Sequence, residues 1–134
     1  MSSTVGADAG FVRIASRYSV PETVTRLEAL LKEHGIVIFA RIDFCADAAR
    51  AGLTMQPEQL LLFGNPKAGT PLLQSEPTVG LDLPLKALVW QDADGGVTLA
   101  YNDPQYVLQR HGLPQTLRAN IAGVIGLLQR AAGA

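Results

Sequence analysis

The sequence predicts an α+β fold: a two-layer sandwich of a mixed or mainly antiparallel sheet of about five strands, with helices packed on one face. Three observations predict it. Short segments repeat apolar residues at every second position, whereas longer ones repeat them at helical spacing. Two strand-like segments, 85–91 and 97–102, are separated by the five residues Asp92 to Gly96, which makes them an antiparallel hairpin. The segments run strand, helix, strand, strand, hairpin, helices, without the regular alternation that a doubly wound parallel sheet requires.

At 134 residues the chain is the size of one domain. Residues 1–9 are small and polar without periodicity and read as a disordered tail, leaving 10–134 as a single domain. Val12, Ile14 and Tyr18 alternate with Arg13 and Arg17 in a first strand. Ser19 and Glu22 have the spacing of a capping box, and Pro21 is tolerated in a first helical turn. Val24, Leu27, Leu30 and Leu31 then mark one helical face, which Gly35 ends. The apolar, β-branched run 36–44 predicts a strand covered on both faces and central in the sheet. Ala46 to Gly52 reads as a short helical connection, and Leu60 to Phe63 as a third strand.

Gly64-Asn65-Pro66-Lys67-Ala68-Gly69-Thr70 breaks that strand sharply. A helical turn is expected over 70–74 and an irregular loop over 76–84. After the hairpin, Asp103-Pro104 supplies an N-cap and a first-turn proline for a helix carrying Tyr106 to His111, closed by Gly112. Leu117, Ile121, Val124, Ile125 and Leu128 form one stripe, predicting a long helix from Pro114 to the C-terminus.

The composition excludes several functions. With 48% hydrophobic and 17% charged residues the chain is globular rather than disordered. Eleven Lys and Arg against 12 Asp and Glu, without a basic stripe, argue against a nucleic-acid or anionic-membrane partner. One cysteine, Cys45, excludes an internal disulfide. The opening residues lack the pattern of a signal peptide, and no apolar run approaches the roughly 18 residues needed to cross a bilayer. A soluble, cytoplasmic protein is expected.

The run Gln59 to Leu72 resembles the central signature of the family called domain of unknown function 302. Leu81-Asp82-Leu83-Pro84-Leu85-Lys86-Ala87-Leu88-Val89-Trp90 resembles its second signature. Tyr101-Asn102-Asp103-Pro104 with Arg110-His111-Gly112-Leu113 resembles its third. The resemblance spans about Ser19 to Leu113, with the blocks in order. It implies a compact two-layer α/β fold, a tendency to form homodimers and no established activity. Members often carry histidine after the aspartate of the second strand; here Phe44 follows Asp43.

The ligand-binding candidates are Gly64, Asn65, Lys67, Gly69 and Thr70, with Asn102 and Asp103. A strand end leading into a helix offers free N–H groups and a dipole to an anion, and Lys67 adds charge. The plainer alternative is a tight connection in which the glycines meet backbone geometry and Lys67 is solvated. This is not a Walker A loop, because Gly69 is followed by Thr70 and Pro71. Asn102 and Asp103 leave the last strand for a helix, where they would line a cleft or cap that helix.

Asp43, Arg110 and His111 are weaker candidates. The carboxylate and the histidine could transfer protons, and Arg110 and His111 also suit the last turn of a helix. His34, His111 and Cys45 form no ligand-spaced metal motif, and no cofactor is predicted. Cys45 reads as an inert thiol, and no G-x-S-x-G elbow occurs. Lys86 and Trp90 share a strand face, where the tryptophan would anchor a dimer or pack beneath a helix. The expected function is a dimeric binding or interaction module for a small ligand, with an anion as one candidate, or for a protein partner. The alternatives are an enzyme acting on a small anion, with Lys67 as clamp and Asp43, Asp103 or His111 transferring the proton, and a purely structural partner protein.

Overall fold

The computed structural model describes residues 9–134, so the tail expected at 1–9 lies outside the described residues except for Ala9. The strands are β1 (Phe11–Ser16), β2 (Val37–Asp43), β3 (Glu58–Gly64), β4 (Leu85–Gln91) and β5 (Val97–Asn102). They form one sheet in the order β1-β5-β4-β3-β2, and every neighbouring pair is antiparallel. The α+β class and the helices on one face stand as expected.

Helix α1 (Val20–Glu33) starts where the capping box predicts: the Ser19 hydroxyl accepts from the Glu22 N–H at 3.2 Å. Its stripe of Val20, Val24, Leu27 and Leu31 is fully buried against Leu61, Phe63, Ala87 and Val89 of the sheet. Each such side chain contributes about 1.5–3 kcal/mol on leaving water. Arg41 of β2 fastens the same helix through Glu28 at 2.7 Å, Thr25 at 3.0 Å and the Pro21 carbonyl at 3.1 Å.

Helix α2 (Phe44–Arg50) follows β2 directly, and α3 (Pro66–Ser75) follows β3. A 3-10 turn, Pro77–Leu81, occupies the stretch expected to be irregular. Helix α4 (Pro104–His111) ends at Gly112, whose φ of 63° is the left-handed geometry expected there. Leu72, Val79, Val107, Leu108, Leu113 and Ile121 gather into a second cluster from these elements and the C-terminal segment.

Three expectations are corrected. Strand β2 is an edge strand rather than a central one, with Val37 44% and Phe39 53% exposed. Its apolar run reflects a sheet whose uncovered face is itself apolar, which periodicity alone does not separate from burial on both sides. The helix expected at 70–74 begins earlier, at Pro66, because Asn65 caps it. The single C-terminal helix is divided into a 3-10 turn (Gln115–Leu117), α5 (Arg118–Ala122) and α6 (Ile125–Ala132). Gly123 falls at this break and Gly126 in the first turn after it, where the weak helix propensity of glycine lowers the cost of interruption.

Candidate functional site

Asn65 organises the segment that the sequence singles out. Its side-chain oxygen accepts from the Lys67 N–H at 3.0 Å, and its carbonyl accepts from Ala68 at 2.9 Å and Gly69 at 2.8 Å. Pro66 has no N–H. The first turn of α3 therefore has its donors engaged within the chain, and offers an anion no free backbone group. Lys67 points its charge from an exposed position.

What the segment builds instead is one wall of a cavity of about 600 Å³. Gly64, Asn65, Gly69 and Thr70 line it, while Lys67 does not. Phe39, Leu62, Leu73, Leu83, Pro84 and Ile121 line it as well, so the lining is mostly apolar. Gly64 has a packing reason to be glycine, since a Cβ there would lie 3.2 Å from the Phe39 ring. Asn120 donates to the Ala68 carbonyl at 2.9 Å and ties α3 to α5 beside the cavity.

A second constellation joins residues far apart in sequence. His111 Nε2 lies 2.5 Å from Asp82 Oδ2, and Thr78 Oγ1 lies 2.9 Å from His111 Nδ1. Arg110 donates to both Asp82 oxygens at 3.0 Å. The His111 side chain is only 4% exposed and that of Asp82 13%. Asp82 carries this arrangement and was missed as a site residue; its place in the block 81–90, preceding the other pair in 110–113, was the available signal. The order Thr–His–Asp resembles a relay, but among the described residues neither Thr78 nor His111 lines the cavities of about 600, 490 and 430 Å³.

The remaining candidates have structural employment. Asp103 caps α4, accepting from the Gln105 N–H at 3.1 Å, while its own N–H donates to the Gly10 carbonyl at 2.9 Å. Asp43 caps α2 through the Ala46 N–H at 2.9 Å. Asn102 pairs with Phe11 at the end of the sheet. Among the described residues no hydrogen bond or ion pair joins Lys67 to Asp43, Asp103 or His111.

Burial lowers the pKa of Lys86, against a smaller opposing pull from Asp82. Burial, reinforced by the Asp103 carboxylate, raises that of Tyr101. The Cys45 thiol donates to the Met55 carbonyl at 3.4 Å. Among the described residues no three His, Cys, Asp or Glu side chains group as a metal site.

The model of the domain of unknown function DUF302 matches residues 12–128. A crystal structure of an uncharacterized conserved DUF302 protein from Bacillus stearothermophilus shares the fold, with a TM-score of 0.75 and 22% identity over 92% of this chain and 96% of that one. The fluoride-specific ion channel FluC 1 of Brucella suis is 43% identical over 130 residues, covering 94% of this chain and 51% of that protein. FluC 1 of Brucella abortus is also 43% identical, with 48% of its length covered. The chain thus spans about half the length of the curated relatives it matches. Among the described residues no helix is long and apolar enough to cross a membrane.

Proposed function

The chain belongs to the DUF302 family, and from that premise we propose that it is a binding module whose cavity beside Gly64 to Thr70 receives an uncharged, largely apolar group. The observation that carries this reading is the lining itself: about 600 Å³ walled by Phe39, Leu62, Leu73, Leu83, Pro84 and Ile121. A cavity of that size and polarity suits a small apolar ligand or the apolar side chains of a partner. The engaged donors of α3 and the outward Lys67 weigh against the small anion that the sequence suggested.

Binding of an environment-sensitive apolar dye tests the proposal. The expected result is saturable binding by the wild-type protein that Ala68→Trp, which fills the cavity, abolishes without unfolding the chain. Dye binding unchanged by Ala68→Trp, or displaced by millimolar phosphate, would count against an apolar site.

The Brucella relatives favour a more specific reading. Their names make them fluoride channels, and this chain, which matches about half of each, has among its described residues no helix long and apolar enough to cross a membrane. We therefore read the shared half as an accessory domain, and the partner of this chain as a channel-type membrane protein. Purified chain and the other half of the Brucella suis protein, mixed in detergent, should co-elute. Failure to co-elute at micromolar concentration removes this assignment and leaves the apolar cavity to be judged by the dye.

A further inference from the structure

The face of the sheet turned away from α1 carries a depression of about 490 Å³, lined by strand residues alone. Successive side chains of a strand point to opposite faces, so Leu60 and Leu88 lie here while Leu61, Ala87 and Val89 lie under the helix. Across this face Arg13 of β1 stands level with Ala100 of β5, which stands level with Leu88 of β4, and that with Leu60 of β3. Ala100 is the small residue of the row and leaves room for the Arg13 side chain to cross β5. The guanidinium lies 5.5 Å from the Phe11 ring centroid and 5.6 Å from that of Trp90, which stands two strands away.

The rings attract this cation by their faces and leave its in-plane donors open. Among the described residues no carboxylate pairs with Arg13, and its Nε is buried without a hydrogen-bond partner. A buried donor on a permanently charged group calls for an acceptor. Lys86 brings a second cation to the depression; its ammonium donates to the Pro84 carbonyl at 2.9 Å, and burial lowers its pKa. Glu58, the one carboxylate of the lining, is level with Trp90 on β3, three strand spacings from β1, or about 14 Å between backbones. The depression therefore holds an excess of positive charge in a chain whose formal net charge is -1.

We propose that this depression is a second ligand site, which takes a small monoanionic carboxylate with an apolar or aromatic body. It shares no lining residue with the cavity beside Gly64 to Thr70. The carboxylate pairs with Arg13, whose planar fork matches its two oxygens, and turning the terminal torsions of that side chain brings Nε to face them. Asn102, level with Phe11, adds an amide that can donate to the same group. The body lies on Leu60, Leu88 and the Trp90 ring.

The lining also excludes two simpler occupants. A neutral molecule leaves the charge of Arg13 uncompensated. An ion without a body leaves the leucines and the indole in water, and a dianion is repelled by Glu58.

Titration calorimetry of the full chain with benzoate tests this, with benzamide as the uncharged match and inorganic phosphate as the ion without a body. Trp90, the only tryptophan, reports from within the depression. Saturable benzoate binding is expected, with a Kd of about 1 mM or tighter, within reach of so small a ligand, and with a change in Trp90 emission. Benzamide and phosphate should each bind about tenfold more weakly or worse, and Arg13→Met, verified as folded by circular dichroism, should lose as much, the scale of a hydrogen bond to a charged group. The apolar dye bound beside Gly64 to Thr70 should leave the benzoate titration unchanged, so that the two sites stand or fail separately. Absence of saturable benzoate binding, benzamide or phosphate binding as tightly as benzoate, full affinity in folded Arg13→Met, or displacement of benzoate by the dye would overturn the proposal. Should Arg13→Met not fold, the wild-type titrations with benzoate and benzamide decide.

Discussion

Asp82 and His111, 29 residues apart, are in hydrogen-bond contact at 2.5 Å, and the pair is almost closed to solvent. The same carboxylate receives two hydrogen bonds from Arg110. Asp82→Asn removes the charge that holds both partners while keeping the side-chain shape. The expected loss is about 2–3 kcal/mol, the scale of hydrogen bonds to a charged group in a sheltered position. Urea unfolding measures it, and a change below about 0.5 kcal/mol would mean the cluster is not structural.

Gly10 lies flat against the Tyr106 ring. Its φ is +84°, and a Cβ there would lie 2.7 Å from Cδ1 and Cγ and 2.8 Å from Cδ2 of that tyrosine. Gly10→Ala combines backbone strain of about 1–2 kcal/mol with this clash. A total above about 2 kcal/mol is expected in thermal unfolding. In a Tyr106→Ala background the same substitution should cost only the backbone part, so the double-mutant cycle separates the two.

Asn65 is predicted to act as a cap. Asn65→Ala should cost about 1 kcal/mol, and because Asn65 also lines the cavity it should change the binding of an apolar dye there. Calorimetric unfolding and dye titration on the same variant measure both quantities. Unchanged stability would show that the hydrogen bond from Lys67 carries no net energy.

Lys86 should make stability rise with pH. Its folded pKa lies below the ordinary 10.5 because burial disfavours the charged form. Between those two values the unfolded chain binds more protons than the folded one, so folding strengthens as pH increases through that window. Below it the folded protein carries the full cost of a sheltered charge. Lys86→Met is therefore expected to be more stable than wild type near neutral pH and to lack the alkaline gain. Unfolding curves at fixed protein concentration across that range check the sign.

The sequence made some elements legible because several local signals agreed. Ser19, Pro21 and the stripe from Val24 to Leu31 all specify the same helix, and Asp103, Pro104 and Gly112 bracket another in the same way. Strand β2 was misplaced because Val37, Phe39 and Ile42 are apolar for a reason outside their own segment: the second face of the sheet is apolar too. The terminal helix was overextended because the stripe through Leu117 and Leu128 continues across the break at Gly123.

The candidate site was legible by position and not by chemistry. Gly64, Asn65, Gly69 and Thr70 read in the sequence as an anion-binding connection from strand to helix, whereas the cavity they line is mostly apolar. Its apolar lining comes from Phe39, Leu83 and Ile121, residues whose convergence depends on strand pairing and helix placement. Asp82 was overlooked for the same reason, since its partners lie in a block 28 and 29 residues further on.

In β2 the register with β3 shifts between Ile38 and Ala40, leaving Phe39 as the extra residue. An outer strand with unbroken register is a template onto which further chains can add indefinitely. A bulge spoils that template, because the bent backbone no longer presents an even row of donors and acceptors. By carrying this irregularity on β2, one of its two outer strands, the fold makes that edge a poorer template for strand addition.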